Sequence, residues 1–110
     1  MKWIIDFYSE TVYNELMQWP SKIKERFLRL VKLMEEYGAD LGMPYTRALG
    51  EGLFELRVKG REGIGRAFFC YVVNKRIIIL HGFIKKTQKT PLQELQLAKE
   101  RLKKVNSREL

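Results

Sequence analysis

Residues 53–86 decide the fold, and they read LFELRVKGREGIGRAFFCYVVNKRIIILHGFIKK. β-Branched and aromatic residues are concentrated in three runs, at 53–59, 66–73 and 76–84. Glycine and asparagine turn signals separate these runs, at Gly60 to Gly65 and at Asn74-Lys75. Short runs of this kind, spaced by turns, are typical of an antiparallel meander.

The first of these runs alternates with a period of two. This alternation places Phe54, Leu56 and Val58 on one face of the strand, and Glu55, Arg57 and Lys59 on the other. The sequence therefore predicts a sheet with one apolar face and one charged face.

The segments before the meander predict a strand, two helices and a further strand. Residues 3–8 resemble a strand, and Ser9 can cap a helix that ends before Pro20. Pro20 suits the first turn of a second helix, whose apolar stripe is Ile23, Phe27, Leu30, Val31 and Met34 and which ends at Tyr37-Gly38. Residues 46–49 supply another short strand.

The segment after the meander predicts a terminal helix. Thr90-Pro91-Leu92-Gln93 combines a cap, a first-turn proline and a capping-box glutamine. Apolar residues follow at helical spacing: Leu92, Leu95, Ala98, Leu102 and Val105. We therefore expect a single α+β domain over residues 1–110. In this domain an N-terminal strand and helical hairpin pack on a mainly antiparallel sheet of four to five strands, and a C-terminal helix follows.

The charge of the chain is unevenly distributed. Residues 57–104 carry thirteen Lys or Arg against three Glu, a net charge of +10, whereas residues 1–56 carry seven bases against nine acids. A concentrated positive field attracts polyanions and releases their counterions on contact. The pattern indicates a nucleic-acid partner, although a basic surface can also serve solubility alone.

Other function classes find little support in the sequence. One His and one Cys cannot supply the usual ligands of a zinc site, and Cys70 within an apolar run is expected to be buried. The glycines of 60–65 join two strands and lack the GK[ST] element, so they indicate a flexible hairpin loop instead of a phosphate-binding loop. No apolar run approaches the length of a membrane span, and we expect a cytoplasmic protein without cofactor or metal.

His81 lies in the last strand and has two interpretations. By alternation it shares a face with Ile77, Ile79, Phe83 and Lys85. A partly buried structural histidine is therefore as consistent with the pattern as a catalytic one.

Three motifs of the chain resemble the RelE/HigB toxin superfamily, in particular its phage-derived HigB-like branch. They are LFELRVK at 53–59, GRAFF at 65–69 and LHGFIKKTQKTP at 80–91, and the order of elements agrees with them. The resemblance implies a RelE-like fold and the toxin of a type II toxin–antitoxin pair. Such a toxin cleaves mRNA without metal, usually in the ribosomal A site, and its antitoxin is a HigA-like helix-turn-helix protein.

The resemblance also implies which residues act. Arg57 and Arg66 are expected to bind the scissile phosphate, Lys59 or Lys85 to transfer protons, and His81 is the rival base. The expected RNA-binding residues are Arg61, Lys86, Lys89, Lys99 and Lys103. The chain departs from RelE in one respect, because the tyrosine expected after the last strand is absent from Thr87-Gln88-Lys89-Thr90.

Two alternatives remain open from the sequence. The same bases, with Phe54, Phe69 or Tyr71 for stacking, suit a non-catalytic RNA-binding or ribosome-binding module. The basic face also suits a subunit that an acidic protein partner neutralises.

Overall fold

A computed structural model describes residues 2–85 and 91–109 and shows a sheet with helices on both faces. The strands are β1 Ile4–Phe7, β2 Thr46–Gly50, β3 Leu53–Gly60, β4 Gly63–Val72 and β5 Arg76–Lys85. The helices are α1 Glu10–Met17, α2 Ser21–Tyr37 and α3 Leu92–Glu109. The five strands have the order β1-β5-β4-β3-β2, in which only the β1–β5 pair is parallel. The predicted α+β architecture is confirmed.

The boundaries of the helical hairpin follow local sequence chemistry. The Ser9 hydroxyl accepts a hydrogen bond from the Val12 amide at 3.2 Å and so caps α1. Gly38 ends α2 in the left-handed region, with φ of 90°, and its amide donates to the Met34 carbonyl. Both signals are present in the sequence, which explains why these helices were predictable.

The helical hairpin covers one face of the sheet and forms the first hydrophobic core. Phe27 is fully buried at its centre, where its ring contacts Trp19 and Phe7 edge to face. The apolar face of β3, Leu56 and Val58, closes this core from the sheet side. The predicted division of β3 into an apolar and a charged face is therefore confirmed.

Phe27→Ala should lower the free energy of unfolding by about 3–5 kcal/mol, because it removes a fully buried aromatic side chain and leaves a cavity. Chemical denaturation monitored by circular dichroism measures this change. Leu28→Ala, at the neighbouring position where the side chain is 43% exposed, is the control and should change stability far less. Equal effects of the two substitutions would contradict the assignment of Phe27 as a core anchor.

The other face of the sheet is divided between an apolar half and a charged half. In the apolar half Phe68, Cys70, Ile78 and Leu80 are buried beneath α3, which contributes Ala98, Leu102 and Val105. Leu92, at the start of the predicted apolar stripe, is instead 77% exposed. The charged half lies at the end of the sheet that contains Lys59 and Lys85.

Two glycines of the sequence motifs allow the helical hairpin to approach the sheet. A Cβ atom on Gly82 would lie 2.5 Å from Cδ1 of Leu16, and one on Gly65 would lie 2.8 Å from Cζ3 of Trp19. Real Cβ atoms do not tolerate such distances, so a side chain at either position would force the helices away from the sheet. The glycines of GRAFF and HGF are therefore packing positions.

The segment predicted as a flexible loop at residues 60–65 is mostly strand. Gly60 pairs with Gly63, so the turn contains only Arg61 and Glu62, and β4 begins at Gly63. Three glycines in six residues obscured this short turn, because glycine is compatible with either a loop or a strand pair. Arg66 consequently lies well inside β4 and does not follow the turn directly.

The predicted face of His81 is wrong with respect to Ile77 and Ile79. Phe69 pairs with Ile79 while Phe68 pairs with His81, so Leu80 is an extra residue in β5. This β-bulge reverses the alternation, and it moves His81, Phe83 and Lys85 to the face that α3 covers in part.

Among the described helices, none combines the length and the apolar character that a membrane crossing requires.

Candidate functional site

The charged half of the sheet is organised as three rows of residues across β3, β4 and β5. The strand register aligns Lys59 with Ile64 and Lys85, Arg57 with Arg66 and Phe83, and Glu55 with Phe68 and His81. Neighbouring strands are about 4.8 Å apart and alternate residues of a strand about 6.6 Å apart. All five predicted catalytic residues therefore lie in three adjacent rows on one face: Arg57, Lys59, Arg66, His81 and Lys85.

Glu55 is the buried anion of this surface. Its carboxylate is inaccessible to solvent, and its Oε2 atom accepts a hydrogen bond from Arg66 Nη1 at 2.9 Å. Its Oε1 atom accepts from Nη2 of the half-exposed Arg47, on β2, at 3.2 Å. The Arg66 guanidinium, only 2% exposed, is therefore held in place by a buried ion pair.

Lys85 is the buried amine of the surface. Its side chain is 5% exposed, and its Nζ atom has no hydrogen-bond partner among the described residues. Burial lowers the pKa of Lys85 below the usual 10.5, and the nearby positive charge of Arg66 lowers this pKa further. Glu55 opposes that shift, while Arg57 and Arg47 add to it. We refer to Arg47, Glu55, Arg57, Arg66 and Lys85 as the basic cluster.

Arg57 and Lys59 form the more accessible side of the basic face. Arg57 is half-buried, and its Nε atom has no hydrogen-bond partner among the described residues. Lys59 is exposed one row beyond, and Arg61 is exposed in the turn that follows. The structure therefore places Lys59 and Arg61 next to the basic cluster, beyond its member Arg57 in the order of the chain.

His81 contacts α3. Its Nε2 atom pairs with Oε2 of Glu94, and its ring stacks on Phe83 with a centroid distance of 5.8 Å. The other ring nitrogen, Nδ1, is buried without a hydrogen-bond partner among the described residues. One ring nitrogen is thus buried and the other is paired with Glu94, an arrangement consistent with the structural interpretation of His81.

A second contact fixes α3 on the sheet beside the bulge. Arg101 Nη1 donates to the Leu80 carbonyl at 2.7 Å, and the Arg101 guanidinium lies 5.2 Å from the centre of the Tyr8 ring. The Leu80 carbonyl at the bulge and the Arg101 guanidinium on α3 therefore stabilise each other's position.

Two of the predicted RNA-binding residues, Lys99 and Lys103, are not brought into the basic cluster. Lys99 and Lys103 lie on α3 and line a surface near Glu51, in the turn at the opposite end of β3 from Lys59. Lys86 and Lys89 lie outside the described residues. Their proposed role in RNA binding stays a prediction.

Sequence reasoning did not identify Glu55, Arg47 and Glu94 as functional residues. Glu55 was visible on the charged face of β3, but its pairing with Arg66 depends on the register between two strands. Glu94 gave no signal of its own beyond its position in the first turn of α3. In the part of the chain that the structure describes, no group of three His, Cys, Asp or Glu residues is placed to hold a metal ion.

A comparison with known protein families assigns the chain to one of them. Residues 14–103 match the family described as "Phage derived protein Gp49-like (DUF891)". The chain belongs to this family. A comparison with curated proteins returns no match.

Among solved structures, this Gp49-like protein is similar to a double mutant of the E. coli toxin RelE in the free state. The TM-score is 0.54 and the sequence identity 16%, and the similarity covers 96% of this chain and 99% of that one. At this identity the similarity establishes a shared fold. Together with the family match, it confirms the RelE/HigB resemblance expected from the sequence.

Proposed function

We propose that this Gp49-like protein is the toxin of a type II toxin–antitoxin pair and that it inhibits translation by cleaving mRNA on the ribosome. The family match and the RelE-like fold support the toxin assignment. The observation that carries the chemical part of the proposal is the Lys85 amine, which is buried without a hydrogen-bond partner among the described residues and has a lowered pKa. Buried amines of this kind are concentrated at functional sites.

The reaction requires no cofactor. A base removes the proton of a ribose 2′-hydroxyl, the 2′-oxygen attacks the adjacent phosphorus, and the bond from phosphorus to the 5′-oxygen breaks. The leaving 5′-oxygen takes up a proton, and the products are a 2′,3′-cyclic phosphate and a new 5′-hydroxyl. Negative charge grows on the phosphate oxygens on the way, so cations aimed at these oxygens lower the barrier.

The basic cluster and the neighbouring Lys59 supply groups for these tasks. Lys85 is the proposed base, since a lowered pKa increases the fraction of neutral amine near pH 7. Arg57 is accessible enough to bind the phosphate directly. Arg66, held by Glu55, adds positive charge behind the phosphate, and the exposed Lys59 is the proposed proton donor.

A toxin of this kind needs a protein inhibitor in the cell that makes it. We therefore propose an antitoxin partner of the helix-turn-helix, HigA-like type and a cytoplasmic location. Charge complementarity predicts acidic residues on the antitoxin where it meets the basic surface.

Controlled expression in bacteria tests the proposal. Induction should arrest growth, and sequencing of mRNA 5′ ends should show new 5′-hydroxyl termini within translated codons. Growth arrest without new termini would reject the nuclease and favour a non-catalytic ribosome-binding module. Cleavage in untranslated regions as well as in codons would reject only the ribosome dependence and would leave the nuclease assignment intact.

The pH dependence of cleavage provides a further prediction. The base must be neutral, so the rate should increase about tenfold per pH unit below the pKa of Lys85 and level off above it. Because this pKa is lowered, the plateau should begin below pH 10.5. Single-turnover cleavage of ribosome-bound mRNA measures the profile, corrected for alkaline hydrolysis without protein.

Lys85→Arg is the matched control for this profile. Arginine keeps the positive charge but cannot lose a proton in this range, so the ascending limb should disappear. An unchanged limb in Lys85→Arg would assign the titration to another group.

A further inference from the structure

A groove of about 350 Å³ lies at the outer edge of β3, away from α3. One side is formed by α2, another by the Pro44-Tyr45 segment before β2, and the base by β3. Its apolar residues are Leu30, Leu33, Pro44, Tyr45 and Val58. Leu33 and Tyr45 are 42% and 46% exposed, so the groove presents apolar surface to solvent.

Cations surround this apolar surface. Arg26 and Arg29 project from α2, and Arg57 and Lys59 belong to β3. None of the described residues that line the groove is acidic. A partner that fills the groove therefore has to present apolar side chains flanked by carboxylates.

Part of the outer edge of β3 is already occupied by hydrogen bonds. The Arg57 amide donates to the Tyr45 carbonyl at 2.9 Å, and the Lys59 carbonyl accepts a hydrogen bond from Arg26 Nη1. Two of the backbone groups that an added strand would use are thus engaged. This occupation favours recognition by side chains, as when an amphipathic helix lies in a groove.

We propose that this groove binds an acidic amphipathic helix of a protein partner. The surface is mainly aliphatic, with Tyr45 as the one aromatic ring among the described residues that line it. This composition favours protein over RNA, since leucine, valine and proline offer no aromatic plane for base stacking and exposed apolar patches mark protein contacts. Arg29 and Leu33, on the exposed side of the groove, are the expected anchors.

A helix bound in the groove would affect the basic cluster through Arg57, because this residue belongs to both. A carboxylate paired with Arg57 would compete with the substrate phosphate for the same guanidinium. The bound helix therefore inhibits cleavage. This consequence rests on the proposed function, whereas the binding of the helix does not depend on it.

Calorimetry with designed probes tests the binding. The acidic probe is a helix-forming peptide of about 18 residues, with leucines on one face and glutamates beside them. A second peptide has glutamine in place of each glutamate, and a third probe is a short single-stranded RNA. Lys85→Met serves as the background chain, so that binding is measured whether or not the protein is a nuclease.

In this background Arg29→Glu and Leu33→Glu should each weaken the binding of the acidic peptide by about tenfold or more. Lys32→Glu is the matched control, because it makes the same charge change on an exposed position of α2 that does not line the groove. It should leave the affinity within about twofold, and the glutamine peptide should bind at least about tenfold more weakly than the acidic one.

Three results would overturn the proposal. The first is no binding of the acidic peptide at millimolar concentration, and the second is an equal loss in Lys32→Glu and Arg29→Glu. The third is RNA binding that Arg29→Glu abolishes while the acidic peptide remains unaffected, which would assign the groove to RNA. Failure of the peptide to inhibit a cleaving wild-type chain, despite binding, would reject only the inhibitory consequence.

Discussion

Lys85→Met should reduce mRNA cleavage by about 10²-fold or more, because loss of a general base typically costs 10² to 10⁴ in rate. Growth arrest on induction should disappear with it. Methionine has a similar length and no charge, so it fills the position of Lys85 beside Arg66 and Glu55 without a proton to exchange. Single-turnover cleavage of ribosome-bound mRNA measures the loss.

The same substitution should raise the melting temperature at pH 7. The folded-state pKa of Lys85 lies below its unfolded value, so the unfolded chain binds more protons between these two pKa values. Burial of the charged lysine therefore lowers the free energy of unfolding. This loss is complete below the folded-state pKa and vanishes as pH rises towards 10.5. Methionine removes this loss, and the resulting gain in melting temperature at pH 7 should shrink as pH increases.

Loss of cleavage together with a gain in stability distinguishes a functional residue from a structural one. Lys103→Ala, on the exposed face of α3, is the control and should change neither quantity appreciably. A Lys85→Met protein that is both inactive and less stable would indicate that Lys85 supports the fold, and the proposed base would have to be sought elsewhere.

The fold was predictable because its signals are local. The alternation in β3, the Ser9 cap and the Gly38 stop each depend on a few consecutive residues. The bulge at Leu80 was not predictable in this way, since an extra residue in one strand is defined only relative to its partner strand. That single residue reversed the predicted face of His81.

The candidate site was predictable only in part. The cations stood out because they are concentrated in one region, and Arg57, Arg66 and Lys85 do lie together. Their environments could not be predicted, because the pairing of Arg66 with Glu55 and of His81 with Glu94 depends on strand register and on the position of α3. The groove beside Arg57 combines three separate segments of the chain, so no motif indicated it.

Glu55→Ala should destabilise the protein by about 3–5 kcal/mol, the usual consequence of removing one partner of a buried ion pair. Arg66, 2% exposed, would lose its buried carboxylate and remain next to Lys85 and Arg57. Urea unfolding measures the change. Glu25→Ala, which breaks the exposed pair between Glu25 and Arg29, is the matched control and should cost at most about 1 kcal/mol.

A double mutant identifies the cause of this loss. If repulsion among the remaining cations contributes, Glu55→Ala should cost less in a Lys85→Met background than in the wild type, by about 0.5–3 kcal/mol. The difference arises because methionine removes one of the charges that Glu55 balances. Strict additivity would mean that Glu55 acts on Arg66 and Arg47 alone, and Lys85 would then be electrostatically independent of the carboxylate that we place at the centre of the basic cluster.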